Sequence, residues 1–287
     1  MEETGKYGHR KQPEDALDIF YRSMQDVLAA RHGEGLMDDD LHDAMNSLLQ
    51  LGAAAGKEEG PPANGTESTE NPFSDLLHRY GAAVLAGDRQ SAVSMVLHAA
   101  EGGMTVPELY KFVIQPFQYS LGAGWHAGTL SVAREHQATA ISSTVMSLLY
   151  PLVLQTSKTD RVFLGTCVSG ELHEFGLRMV SDYMESCGWN TYMLGANTPT
   201  DDALGMIRDV GADVVGISCT MIFNLHKVLE LIGGIRQASD HTRILVGGYP
   251  FNLDPDLWRH VGADACATSF EETPVLADRL LNRQLLE

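Results

Sequence analysis

Arg161-Val-Phe-Leu-Gly-Thr-Cys-Val-Ser-Gly-Glu-Leu-His-Glu-Phe-Gly176 is the stretch on which the fold turns. Its first seven residues form a short apolar, partly β-branched run that gives way to Val168-Ser169-Gly170, which reads as a buried strand entering a loop. Past the loop, Phe175, Leu177, Met179, Val180, Tyr183 and Met184 recur at helical spacing up to Cys187-Gly188. Glu171, His173 and Gly176 therefore stand at the carboxyl end of a strand. That edge is where open α/β sheets bind ligands.

The alternation continues downstream. Thr191 to Leu194 reads as a strand, Thr200 to Val210 as a helix after Pro199, and Asp213 to Ser218 as a third strand. A helix from about Asn224 to Gln237, a strand Arg243 to Val246 ending in Gly247-Gly248, a short strand Ala265 to Ala267 and a last helix from Glu271 complete the series. Strands alternating with helices predict a doubly wound parallel sheet, Rossmann-like, over 160–287. Upstream, residues 73–155 are helical in pattern, with four helices near 74–86, 89–100, 106–121 and 131–150, a four-helix-bundle cap. Earlier still, Leu17, Phe20, Tyr21, Met24, Val27 and Leu28 form one apolar stripe, and Leu41, Ala44, Met45, Leu48 and Leu49 another. They predict a helical segment over 1–51, followed by a flexible, breaker-rich linker over 52–72. The fold class is α + α/β.

Charge excludes one class of partner. The 287 residues carry 20 Lys and Arg against 38 Asp and Glu, a net charge of −18, whereas a nucleic-acid footprint needs clustered bases. No direct DNA binding is expected. No apolar run approaches the ~20 residues that span a bilayer, and the polar amino terminus is unlike a signal peptide, so the expectation is a cytoplasmic protein with no membrane partner. Cys167, Cys187, Cys219 and Cys266 lack the paired spacing of a zinc or redox site and read as buried reduced thiols.

An isolated histidine is more often a satisfied core or surface residue than a ligand. His173 has a neighbour that changes this, because Glu171 can accept a hydrogen bond from one ring N–H, fixing the tautomer and leaving the other nitrogen for a metal. Gly176 leaves room at the helix start, and the topology brings Ser218 and Gly247-Gly248 to the same sheet edge. Alone, Gly247-Gly248 would be a tight turn. A second set lies in the helical region: Trp125-His126, Gly128, Ser131-Val132-Ala133 and Glu135-His136, with Trp125 and His126 in the break before a helix that carries Glu135 and His136.

Glu171, His173 and Gly176, followed by Ser218 and Gly247-Gly248, resemble the cobalamin-binding fingerprint of an acid, His and Gly, then a strand-end Ser and Gly-Gly, with Glu171 where Asp is usual. The resemblance covers about residues 160 to 285. It implies that His173 is the lower axial cobalt ligand and that the displaced dimethylbenzimidazole tail passes Ser218, Thr220, Gly247 and Gly248. The helical set resembles the cap of adenosylcobalamin-dependent photoreceptors of the CarH type, closely so across Gly124 to Thr139. This implies adenosylcobalamin as the cofactor, Trp125 against the adenosyl group, and Val132, Glu135 and His136 in the cap around it. It makes His126 the upper cobalt ligand after light.

What the resemblance implies is a light-sensing module rather than an enzyme, a homo-oligomer whose state changes with light or a module docking an unknown protein partner. Met1 to Pro72 has no match to the MerR-type DNA-binding domain of that family. A related branch holds a bilin as second chromophore, although the first 150 residues contain neither an attachment Cys nor a bilin-binding motif. The alternative is a corrinoid carrier for a cobalamin-dependent methyltransferase, which shares the fold and the His173 loop and has no need of Trp125-His126.

Overall fold

The computed structural model describes residues 71–154 and 157–283 and a few positions between 25 and 47, the latter all helical. The chain divides into two compact units, Met1–Glu58 and Glu59–Glu287. In the first, Met45 is buried and the His32 and His42 rings stack at 4.5 Å. Apart from Met45, the two expected apolar stripes lie outside the described residues, as do positions 52–70 of the expected linker.

The second unit begins with α1 (Ser74–Leu85) and α2 (Arg89–Glu101). Helix α3 (Val106–Leu109) starts in a capping box, with Thr105 Oγ1 accepting the Glu108 N–H and the Glu108 carboxylate accepting the Thr105 N–H. It passes through a π turn, Tyr110–Ile114, into α4 (Gln115–His126). The single helix expected over 106–121 is thus interrupted, and the cause is local. Pro116 has no N–H for the Phe112 carbonyl, which instead accepts the Asn71 side-chain amide at 2.8 Å.

Helix α4 also runs further than expected, so Trp125 and His126 occupy its last turn rather than the break before the next helix. Gly122 and Gly124 each cost a helix about 1 kcal/mol, too little to stop one anchored by the buried Phe117 and Leu121. The chain turns at Ala127 and Gly128, and Ser131 caps α5 (Val132–Val153) by accepting the Arg134 N–H.

The α/β half contains β1 (Val162–Cys167), α6 (Phe175–Ser186), β2 (Asn190–Gly195), α7 (Thr200–Val210) and β3 (Val214–Ser218). A 3-10 turn, Ile222–Asn224, leads into α8 (Leu225–Ala238), β4 (Arg243–Gly247), α9 (Tyr249–Leu253), α10 (Leu257–His260), β5 (Ala265–Cys266) and α11 (Glu272–Arg283). All strand pairs are parallel, in the order β2-β1-β3-β4-β5. The doubly wound sheet is as expected. The sequence reading missed α9 and α10, which at five and four residues are too short to show a period.

Order and register create the binding edge. The direction of winding reverses between β1 and β3, so the loops after these strands diverge and leave a crevice. Cys167 pairs with Ser218 and Ser218 with Gly247, which brings β1, β3 and β4 to their carboxyl ends at one level.

The cap is joined to this half by one core. Tyr80, Leu109, Phe117, Val145 and Leu149 of the cap cluster with Met179 of α6 and with Phe270. Polar contacts flank that core: Tyr110 Oη donates to the buried Asp182 at 2.7 Å, Arg178 donates to the Ser143 carbonyl and Ser147 Oγ, and Tyr150 Oη donates to Glu185. Among the described residues no helix is long and apolar enough to cross a membrane.

Candidate functional site

Three clamps shape the loop between β1 and α6. Asn197, held at φ 52, accepts the Gly170 N–H on its side chain at 2.8 Å and donates its own N–H to the Glu171 carbonyl at 2.8 Å. Glu174 accepts the Ala196 N–H at 2.8 Å, and a Cβ on Gly195, which sits at φ +82, would lie 2.6 Å from Glu174 Oε2 and push that carboxylate out of the bond. Glu171 itself turns inward and is fully buried.

A buried carboxylate must be hydrogen-bonded to remain charged. Glu171 Oε2 accepts the N–H groups of Thr220 and Met221, each at 2.9 Å, and the Asn224 amide at 3.1 Å. Oε1 accepts the His173 N–H at 3.0 Å and meets His173 Nδ1 at 2.5 Å. Burial pushes the Glu171 pKa up, but these donors outweigh it and bring the group down to about 2. Glu171 is therefore a fixed anion.

Against that anion the His173 ring keeps its proton on Nδ1 and turns Nε2 outward, the side chain being 56% exposed. The hydrogen bond to Glu171 raises the His173 pKa, burial opposes it, and the charges of Glu171 and Glu135 add to the rise. Since a protonated Nε2 has no lone pair to give a metal, cobalamin affinity is expected to climb as pH rises from 6 past the ordinary imidazole value, by up to about tenfold per unit below the folded pKa. Titrations of the cofactor at pH 6, 7 and 8 check this; equal affinities would exclude His173 as the titrating ligand.

The remaining edge positions are walled by backbone. The Cys167 thiol donates to the His173 carbonyl at 3.7 Å beside Ser218, its partner in the sheet register, and Gly247 and Gly248 close the end of β4. Gly248 sits at φ +112, and a Cβ there would overlap the Cys219 carbonyl oxygen. Gly248→Ala is expected to cost on the order of 3 kcal/mol, visible as a lower thermal midpoint than wild type. Gly176, by contrast, faces open space, with nothing within 4 Å of an added Cβ.

Cys167 and Cys219 are buried beneath the loop as expected, and burial pushes the Cys167 thiol up to about 12. Cys187 departs from expectation: it follows the last turn of the amphipathic helix α6 and is exposed.

The cap contributes the second set. Trp125 and Val132 are about half exposed, and Glu135 Oε2 meets His136 Nδ1 at 2.6 Å. The charge of Glu135 adds to the rise of the His173 pKa, so the two side chains lie within electrostatic reach of one another. The His126 side chain lies outside the described residues.

Glu171, His173, Ser218, Thr220, Gly247 and Gly248 thus share one edge. Asn224, Asn197 and Glu174 join them without having been singled out from sequence. A polar residue opening a helix at a sheet edge was the signal available for Asn224, and many helices open that way. Thr220 serves Glu171 through its backbone N–H.

Among the described residues no group of three or more His, Cys, Asp or Glu could hold a bare metal ion. One imidazole suffices where the metal arrives with its equatorial positions already filled by a macrocycle. The donor set fits a corrinoid.

Comparison with known proteins agrees. The B12 binding domain family matches residues 161–277, and a second B12 binding domain family matches residues 76–150. Dimethylamine corrinoid protein 3 of Methanosarcina mazei is 30% identical over 152 residues, which are 50% of this chain and 87% of that protein. The chain belongs to the B12-binding corrinoid proteins. As in that family, the α/β domain and the helical region above it make up the cobalamin-binding body. The monomethylamine corrinoid protein of Methanosarcina barkeri shares the fold, with a TM-score of 0.64 at 16% identity over 74% of this chain and 99% of that one. The HTH-type transcriptional repressor CarA of Myxococcus xanthus is 32% identical over 182 residues, 62% of this chain and 60% of the repressor.

Proposed function

We propose that this corrinoid protein is a carrier: it holds a cobalamin through His173 beneath the helical cap and offers the cobalt-bound group to a separate methyltransferase. The observation that carries the cofactor site is His173 Nε2, the open nitrogen of an imidazole whose other nitrogen is anchored on a buried anion; the corrinoid relatives carry the choice of output. When bound, the cofactor supplies a cobalt that can take up and release a methyl group. The chain's own residues hold and orient it. Glu171 fixes the tautomer and aim of His173, Asn224 and the Thr220 and Met221 amides fix Glu171, and the backbone at Ser218, Gly247 and Gly248 walls the edge along which the nucleotide tail would lie.

The relatives support this output over the light-sensing expectation. The M. mazei dimethylamine corrinoid protein, matched over 87% of its length, is little more than the part it shares with this chain. The test is methyl transfer in darkness: protein loaded with methylcobalamin discharges to a thiol acceptor when a corrinoid-dependent methyltransferase is added, and His126→Ala discharges at the same rate. Absence of transfer, combined with a spectral change under green light, overturns it.

One set of residues favours a second reading. Trp125, Val132, Glu135 and His136 lie at the facing ends of α4 and α5, and the repressor CarA is 32% identical over a span of 182 residues. On that reading the cofactor is adenosylcobalamin, and light changes the contacts of the cap with a second copy or a partner. Equal elution volumes before and after illumination of the adenosylcobalamin-loaded protein exclude it.

A further inference from the structure

One face of α6 carries more charge than the cap takes up. Arg178, Asp182 and Glu185 follow one another a turn apart, and with Tyr150 of α5 and Thr191 and Met193 of β2 they line a cavity of about 250 Å³. That volume is several times the ~30 Å³ share of one water. Thr191 pairs with Phe163 and Met193 with Gly165, so the cavity lies against the flank of the sheet, upstream of the edge where His173 stands.

Asp182 is the group left short of donors. It is 6% exposed, and its Oδ2 accepts the Tyr110 hydroxyl at 2.7 Å, but Oδ1 has no hydrogen-bond donor among the described residues. Burial pushes the Asp182 pKa up and the Glu185 charge adds to the rise, while the Tyr110 bond and the Arg178 charge pull down without cancelling it. Glu185 beside it is fully engaged, accepting Tyr150 Oη on Oε2 and Lys158 Nζ on Oε1, each at 2.7 Å. Arg178 Nε stays 3.9 Å from Asp182 Oδ2, beyond a hydrogen bond, while Nη1 and Nη2 donate to the Ser143 carbonyl and Ser147 Oγ. A guanidinium has five N–H groups, and these two bonds leave three of them open. Ser181, 3% exposed, lines the same cavity, and its Oγ has no partner among the described residues.

The charges select the occupant. A plain cation would meet Asp182 but also Arg178, and a plain anion would meet Arg178 but also two carboxylates. A molecule that carries both signs on a short chain can face both, because the Arg178 and Asp182 groups lie 3.9 Å apart. We propose that this cavity binds a small zwitterion of the amino-acid class, its ammonium donating to Asp182 Oδ1 and its carboxylate accepting the open N–H groups of Arg178. Tyr110, Ser143, Ser147 and Tyr150 belong to the cap and Arg178 and Asp182 to the α/β half, so the occupant strengthens the seam between them. The site is independent of the corrinoid.

Calorimetric titration of the full-length protein with glycine and β-alanine, against ethylamine and acetate as single-charge controls, tests this. At least one of the two zwitterions is expected to bind with a Kd near or below about 1 mM and to raise the thermal midpoint, with both controls about tenfold weaker. Asp182→Asn keeps the shape and an oxygen for Tyr110 Oη, and it is expected to weaken the zwitterion by about tenfold, the worth of one charge-assisted hydrogen bond. Arg178→Gln is expected to weaken the zwitterion and to strengthen ethylamine, a reversal that a merely structural role would not produce. Absence of binding by both zwitterions in wild type overturns the proposal and leaves a cavity that holds water. Ethylamine or acetate binding as tightly as the zwitterion overturns it too, as does an unchanged affinity in Asp182→Asn. Should Asp182→Asn fail to fold, the wild-type titrations and the Arg178→Gln reversal decide without it.

Discussion

Cobalamin affinity is expected to fall by about 100-fold or more when His173 is replaced by alanine, with the fold left in place. The ring is 56% exposed, so its removal empties little of the core. What it removes is the one imidazole nitrogen aimed out of the sheet edge, and even groups that only orient a metal ligand are worth 10–100-fold in affinity. Glu171 keeps its backbone and Asn224 donors and loses a single hydrogen bond, about 1 kcal/mol of stability. Absorbance titration with aquocobalamin measures the affinity and shows whether an imidazole is bound. Added imidazole is expected to restore part of the spectrum. Wild-type affinity and an unchanged spectrum in His173→Ala would sink the assignment.

Glu171→Ala is expected to damage both stability and binding. It deprives the Thr220 and Met221 N–H groups and the Asn224 amide of their acceptor in a buried site, a loss on the order of 3 kcal/mol, and frees the His173 ring to turn. Cobalamin affinity drops with it, by ~10–100-fold. The pH dependence identifies the cause. With its pKa near 2, below the ordinary 4.5, the carboxylate contributes stability that is complete above pH 4.5 and is lost as pH falls from 4.5 to 2. Wild type should therefore lose about 3 kcal/mol more than Glu171→Ala across that window in urea denaturation. His173, its pKa raised, acts in the opposite sense: its contribution is complete below 6.5 and fades as pH rises through the folded value. Parallel losses in the two proteins on acidification would mean that the bonded anion does not hold the loop.

The outline of this fold was legible because burial leaves a period in the sequence. Strands covered on both faces must be apolar throughout, as Phe163-Leu164 and Val214-Val215 are, and the helices between them repeat every three to four residues. Helix ends were less legible. Gly122 and Gly124 weaken α4 without ending it, and the π turn at Tyr110–Ile114 follows from Pro116, with the carbonyl it leaves open taken by an Asn71 side chain 41 residues away.

The site divides in the same manner. Glu171 and His173 are two residues apart in one loop, so the sequence by itself determined that a carboxylate and an imidazole could pair, and the strand pattern placed that pair at a binding edge. Only the tertiary structure decided that the carboxylate is a buried anion, because its donors at Thr220, Met221 and Asn224 come from another strand end about fifty residues on. Likewise, Thr139 meets Glu135 one turn along the same helix, but Gln118 reaches Thr139 only through the packing of α4 against α5. The physical reason is common to both cases. Periodicity records which faces are buried, whereas a hydrogen bond to a buried group needs a partner at ~3 Å, and sequence separation does not encode that distance.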